Sequence, residues 1–199
     1  MIDSRCAILG ALIILTGNFA YARDTVRGAT QPNRVTWSLW ALAPMIAFAA
    51  EVAQGVGLNA VLTLAVGVGP LMVVAASFLD PKAYARVTPF DVGCGALSLL
   101  ALGAWAATGR GNAAILFSIL ADFLAAVPTI RKAYRYPHTE HAAAFLAGVA
   151  GAAITLLTIK PGDWGFASAA FPAYILLDSG LIAWLILVPR PRQQAVPGD

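Results

Sequence analysis

Three carboxylic acids stand inside long apolar segments of this 199-residue chain. Asp122 and Asp178 each interrupt an otherwise uncharged segment, and Glu51 is the only charge in a longer one. A charged side chain at the centre of a bilayer costs roughly 2.5 to 3.5 kcal/mol, so these acids should face a protein interior rather than lipid. Binding of a polar solute, or exchange of a proton with it, is the chemistry that suits carboxyl groups in such a place.

The composition excludes a soluble domain. Hydrophobic residues make up 59% of the chain and charged residues only 12%, whereas soluble domains have roughly 25% charged residues. The net charge of +3 is too small and too dispersed for a nucleic-acid binder. We therefore expect a multi-pass protein of the cytoplasmic (inner or plasma) membrane.

The uncharged intervals predict seven transmembrane helices, because about 20 residues cross the hydrocarbon core of a bilayer. The predicted spans are 6–22, two helices within 35–79 that are separated by a turn at 55–59, then 92–109, 111–130, 142–159 and 164–189. Residues 190–199 are polar and rich in proline, and we expect a disordered cytoplasmic tail.

The basic residues predict the orientation. Ten of the thirteen Lys and Arg residues fall on one predicted side and three on the other, which places the N-terminus outside and the C-terminus in the cytoplasm. A cleaved signal peptide over residues 1–22 is the alternative, since Arg5, an apolar run and Ala20–Ala22 imitate its three parts. Cleavage would leave three arginines outside, so we favour a retained helix.

The chain contains an internal repeat. A shift of 104 positions gives five identities between positions 18 and 29 and places Asn18 over Asp122; further along, with small gaps, Pro70 meets Pro172. Chance similarity of alanine-rich helices is the alternative, but the matched polar residues and prolines disfavour it. The repeat predicts an all-α 3+1+3 architecture of parallel repeats, as in some transporters, with a first repeat at 1–87, a linker helix at 88–110 and a second repeat at 111–189.

The segment Val127–Lys132 carries a Pro-Thr pair followed by basic residues. It resembles the motif of the PQ-loop family, which includes the SWEET and SemiSWEET sugar transporters, where a Pro-Gln or similar pair ends the first helix of each repeat. The first repeat departs from this motif, because Asp24 stands where the family has proline. The asparagine pair of SWEET proteins is also missing. The resemblance implies alternating-access transport of a small polar solute such as a sugar.

The candidate site residues fall into two groups. Residues that could bind the solute or a proton are Asn18, Trp40, Asp122, Tyr174 and Asp178. Residues that could act as gates or hinges are Pro44, Glu51, Pro70, Pro128 and Pro172, since a proline inside a helix frees a carbonyl and kinks the chain.

Each assignment has a structural alternative. Asp122 could bond Asn18 or Ser118 only to hold helices together, and Glu51 could reach water at the outer end of its helix. Tyr174 lies one turn before Asp178, so the two should share a face. Trp37 is expected to be an interfacial anchor. Four glycines fit close helix contacts: Gly67, Gly69, Gly148 and Gly151.

The sequence leaves two classes of function open besides a non-transporting receptor or scaffold. The first is transport of a small polar solute, with proton coupling. For this function we expect membrane lipid as a partner and no nucleic acid, cofactor or metal. The second is an intramembrane enzyme of the seven-helix terpene cyclase type that would use Glu51 and Asp178. The loop His138–His141 offers too few ligands to close a metal site. The question whether the chain forms a homo-oligomer stays open.

Overall fold

The computed structural model describes residues 2–79, 85–108 and 111–188 of the chain. Within these ranges the backbone forms seven α-helices and no strand, as the sequence predicts: α1 (Cys6–Val26), α2 (Arg34–Ala53), α3 (Ala60–Ser77), α4 (Pro89–Thr108), α5 (Gly111–Arg135), α6 (Ala143–Thr158) and α7 (Phe166–Leu187). The predicted tail 190–199 lies outside the described residues, as do Lys82, Arg110, Arg190 and Arg192 of the charge count.

Five segments of the described chain are long and apolar enough to cross a membrane. They contain α1, α2, α3, α5 and α7. The apolar helix α6 has 16 residues, which is about 24 Å and less than the roughly 30 Å of a hydrocarbon core. The apolar part of α4 that meets the shorter criterion is Pro89–Leu100.

Two helix ends differ from the predicted intervals because a charge does not end a helix. The helix α1 continues past Arg23 to Val26, and Gly28 then adopts a positive φ of 73°. The helix α5 runs to Arg135 instead of stopping at residue 130. Its basic last turn suits the negative end of the helix dipole.

The turn between α2 and α3 lies where the sequence predicts it. Gly55 and Gly57 have φ values of 75° and 70°, a left-handed conformation that glycine adopts without strain. At the other end of α2, the Asn33 side chain caps the helix by accepting hydrogen bonds from Val35 N and Thr36 N. The caps and the turn together fix α2 and α3 as an antiparallel pair.

The helices of the two halves pack in matching order. In the first half α3 lies between α1 and α2, and in the second half α7 lies between α5 and α6. Across the two halves, α1 packs along α6 and α2 packs along α5. The helix α4 packs mainly on α5 and touches α2.

Small residues permit these close helix contacts, as the sequence predicts. A Cβ atom on Gly151 would lie 2.7 Å from the carbonyl oxygen of Gly10, so these glycines let α1 and α6 approach backbone to backbone. Added Cβ atoms on Gly67, Gly69 and Gly148 would likewise meet Met45, Asn18 and Ser179 at 2.6 to 2.8 Å. The bundle is therefore held partly by contacts that only glycine allows.

Candidate functional site

A small cavity of about 60 Å³, walled mostly by buried residues, lies where the two halves of the bundle meet. Every helix of both halves contributes to its wall, and none of the described side chains of α4 does. Four of the five predicted solute-binding residues line it, together with one predicted hinge: Asn18, Trp40, Asp122, Asp178 and Pro70. Apolar residues such as Ile14 and Ile175 complete the wall. We call this space the central cavity.

Asp122 is the most extensively bound acid of the central cavity. It is 2% exposed, and its Oδ2 atom accepts a hydrogen bond of 2.7 Å from the Tyr174 hydroxyl on α7. Its backbone oxygen accepts a second bond, of 3.2 Å, from Trp40 Nε1 on α2. Asp122 therefore joins three helices from both halves of the bundle.

The partners of Asp122 differ from the predicted ones. Asn18 donates instead to the carbonyl oxygen of Ile14, one turn earlier in its own helix, at 2.9 Å. Within the described residues the Ser118 hydroxyl has no hydrogen-bond partner. Tyr174 does not present its hydroxyl jointly with Asp178, because that hydroxyl donates to Asp122. The structural alternative in which Asp122 bonds Asn18 or Ser118 is thus wrong, and Tyr174 is the side chain that bonds it.

Both aspartates of the central cavity keep one oxygen without a partner. Asp178 is 8% exposed, and within the described chain neither its Oδ1 nor the Oδ1 of Asp122 has a hydrogen-bond partner. A buried polar atom left unsatisfied costs about 1 to 3 kcal/mol. Water, a cation or a solute that donates hydrogen bonds would remove this cost.

An aromatic cluster closes one end of the central cavity. Trp37, Trp40 and Phe145 line the cavity, and the Tyr21 ring packs on Trp37 with the centroids 4.6 Å apart. Trp40 meets Phe145 edge-on across the two halves at 6.2 Å. Trp37 is only 2% exposed, so its predicted role as an interfacial anchor is wrong: its ring belongs to the core.

A polar network lies directly beyond this aromatic cluster and joins the two halves. The Tyr21 hydroxyl donates to Glu140 Oε2 at 2.5 Å, and Lys132 Nζ lies 2.7 Å from Glu140 Oε1. Next to this pair, His141 Nδ1 lies 2.7 Å from Asp24 Oδ2. We call these five residues the latch. Sequence reasoning missed it, because Tyr21 and Glu140 are 119 positions apart and no spacing rule connects them.

Glu51 lies apart from the central cavity. It is 1% exposed, and its Oε1 atom accepts a hydrogen bond of 3.1 Å from the Thr63 hydroxyl on α3. Its Oε2 has no partner among the described residues. The expectation that Glu51 reaches water is wrong, because the side chain is buried against α3 instead of extending past the helix end.

The four predicted hinge prolines all lie inside continuous helices. Pro44, Pro70, Pro128 and Pro172 occur in α2, α3, α5 and α7 and are buried. Only Pro70 borders the central cavity, and Pro128 borders a second cavity near the latch. Their role as hinges stays a prediction.

The chain matches no model of a known protein family, no curated protein and no solved structure. Over the described residues, no three His, Cys, Asp or Glu side chains gather closely enough to hold a metal ion. The resemblance to the PQ-loop family stays a hypothesis, and the chemistry of the central cavity is what bears on function.

Proposed function

We propose that the protein is a membrane transporter that carries a small polar solute through the central cavity by alternating access. One observation carries this proposal: polar side chains from both halves meet in one buried space, where two carboxyl oxygens have no partner in the described chain. Glu51 also has an oxygen without a partner in the described chain, so the meeting of polar groups from both halves in one cavity is what supports transport, and not the unpaired oxygen alone.

The packing of the helices supports a 3+1+3 repeat. Exchanging α1–α3 with α5–α7 turns the α1–α6 contact into the α5–α2 contact and leaves the packing order within each half unchanged. The repeat partners Asn18 and Asp122 both line the cavity, and Trp40 faces Phe145, which lies 105 positions later. In this proposal the repeats are parallel, α4 is the linker helix, all seven helices cross the membrane, and the resemblance to the PQ-loop family follows from that plan.

The distribution of basic residues supports an orientation. Of the nine Lys and Arg residues in the described part of the chain, seven lie at the end that carries the latch, so we place this end in the cytoplasm and the N-terminus outside. The membrane would be the inner or plasma membrane. With this orientation the latch and the aromatic cluster close the cavity on the cytoplasmic side.

The central cavity is small in this conformation. A space of about 60 Å³ holds on the order of four waters, since each needs about 10 to 15 Å³ on this measure. A sugar ring does not fit unless the halves move apart. Opening at the cytoplasmic end requires separation of Tyr21 from Glu140 and of Asp24 from His141. Rocking of the two three-helix bundles would break these contacts and widen the site.

Carboxyl groups in the cavity provide a route for proton coupling. An ionised Asp122 or Asp178 only accepts hydrogen bonds, whereas a protonated one also donates, so binding of a proton changes what the site recognises. Donor-rich solutes such as small polyols or amines suit the ionised form. The solute class and the coupled proton are both part of the proposal.

Uptake by purified protein in liposomes tests the proposal. A panel of radiolabelled sugars, polyols and amines is supplied with and without an imposed pH gradient, while a dye reports proton flux. We expect uptake of at least one solute that responds to the gradient. Protein that is demonstrably folded but moves neither solute nor protons would contradict transport.

The enzymatic alternative with Glu51 and Asp178 has less support. Asp178 lines the central cavity, whereas Glu51 does not and is bonded to Thr63. An acid and its partner group that act on one substrate must both reach it. Turnover of a prenylated substrate that disappears in Glu51→Gln would favour the enzyme over the transporter.

A further inference from the structure

A second and larger cavity, of about 450 Å³, opens at the end of the bundle that carries the latch. Its wall is formed by the loop before α2, the segment before α4, the first turn of α4 and the last turns of α5. Residues of the α5 motif, Pro128 and Arg131, lie along it. It contains none of the residues that line the central cavity. We call it the basic cavity.

Four cationic side chains line the basic cavity: Arg86, Arg131, Lys132 and Arg135. Lys132 is paired with Glu140 of the latch. The one carboxylate of the described wall, Asp91, caps α4 by accepting a hydrogen bond of 2.6 Å from Thr88 N. Within the described residues no ion pair holds any of the three arginines. The cavity therefore has an excess of positive charge that an anion would balance.

The side chains around the arginines suit a phosphate group. Guanidinium groups bind phosphate oxygens with paired hydrogen bonds. Arg131 is positioned by the Phe90 ring, with its guanidinium carbon 5.0 Å from the ring centroid. Tyr136, which also lines the cavity, adds a hydroxyl group that can donate to a further oxygen, whereas the Thr139 hydroxyl already donates to the carbonyl oxygen of Tyr136. Two or three cations and one hydroxyl are what one phosphate group can engage.

Apolar surface at the same place indicates that the phosphate belongs to a lipid. Phe90 lines the cavity and is 43% exposed, and its neighbours Val87 and Val92 are 41% and 56% exposed. These side chains lie at the start of α4, whose exposed face continues with further leucines. Basic pockets between helices at a membrane surface suit anionic lipid head groups. We propose that the basic cavity binds the phosphate of an anionic phospholipid, with its acyl chains along α4.

Thermal unfolding of the purified full chain in neutral detergent tests this site without reference to transport. The protein is titrated with short-chain phosphatidylglycerol, with short-chain phosphatidylcholine and with free glycerol phosphate. A ligand that binds only the folded state raises the melting temperature in a concentration-dependent way. We expect stabilisation by phosphatidylglycerol, and little from the zwitterionic lipid or the soluble phosphate at equal concentration.

Three variants locate the effect. Arg131→Gln with Arg135→Gln should weaken apparent affinity roughly thirtyfold, at about fivefold for each basic residue near an anionic lipid. The single variant Arg135→Gln should weaken the affinity about fivefold, and it covers the case in which the double variant fails to fold. Arg27→Gln is the matched control, since Arg27 is exposed directly after α1 and does not line the basic cavity.

Two results would overturn the proposal. Equal stabilisation by both lipids, or an unchanged affinity for phosphatidylglycerol in the Gln double variant, would show that the arginines bind no head group. Equal stabilisation by glycerol phosphate would keep a phosphate site but overturn the lipid as its source.

Discussion

Replacement of Asp122 by Asn separates a structural acid from one that handles protons. The Tyr174 hydroxyl donates to Oδ2 of Asp122 at 2.7 Å, and an amide oxygen in that place still accepts this bond. The new NH₂ group takes the place of Oδ1, which has no partner in the described chain. Leaving it unsatisfied would cost about 1 to 3 kcal/mol. Because the central cavity can hold water, we expect the lower end, about 1 kcal/mol.

The stability and the transport activity of Asp122→Asn are measured together. Chemical or thermal unfolding should show a loss of about 1 kcal/mol in the free energy of unfolding, within the range of hydrogen bonds between membrane helices. Uptake into liposomes should lose its dependence on the pH gradient, because the amide cannot bind a proton at these pH values. Tyr174→Phe is the complementary control: it removes the hydrogen bond to Asp122 that Asp122→Asn keeps, but it leaves the carboxyl in place, so pH-dependent uptake should persist in part. Wild-type pH dependence in Asp122→Asn would refute the proton role and leave this residue structural.

Three further changes test other parts of the structure. Gly151→Ala would place a methyl group 2.7 Å from a backbone oxygen of α1 and should destabilise the protein by about 1 to 3 kcal/mol in an unfolding titration, whereas Gly180→Ala, with its nearest neighbour at 3.8 Å, should be close to neutral. Equal effects of the two would contradict the close contact of α1 with α6. Tyr21→Phe removes the donor to the buried Glu140 and should lower the free energy of unfolding by about 1 to 3 kcal/mol; an unchanged value would show that the latch does not hold the halves together. Glu51→Gln should retain at least part of the pH-dependent uptake, because Glu51 lies outside the central cavity, and complete loss in a folded variant would place it in the pathway.

The helices were predictable because this chain separates apolar from charged residues so clearly. Each of the predicted intervals contains one helix except 35–79, which contains α2 and α3 with their turn marked by the glycines at 55 and 57. The rule that a charge ends a helix fails at the C-terminal end of α5, where the helix continues for five residues that include arginine and lysine. Local propensity and the helix dipole, and not hydrophobicity, set that boundary.

Part of the candidate site was also predictable. The cost of burying a charge directs Asp122 and Asp178 inward, and the repeat brings Asn18 to the opposite wall, so that all three line one cavity. The partner of Tyr174 was not predictable from spacing within α7, because it depends on how α7 packs against α5. Trp37 was misassigned for a similar reason: its position beside an arginine is typical of an anchor, yet Tyr21 and Phe145 bury it.

The two polar features at the latch end could not be derived from the sequence. Glu140 and His141 look like members of an exposed loop, and only the packing of α1 along α6 brings Tyr21 and Asp24 to them. From the sequence, the arginines of the basic cavity contribute only to the count of basic residues that predicts the orientation. Their convergence depends on the placement of α4 against α5, which no periodicity reports.

Access to the central cavity from both sides of the membrane is the most direct test of alternating access. Cys6 and Cys94 are replaced by Ala, and Ser179, which lines the cavity, is replaced by Cys. A membrane-impermeant thiol reagent is then applied separately to the outside and to the inside of oriented vesicles. A space of about 60 Å³ is too small for the reagent, so labelling of Ser179→Cys requires the cavity to widen. We predict labelling of Ser179→Cys from each side, slowed by a transported solute; labelling from one side only, or from neither, would contradict the transporter.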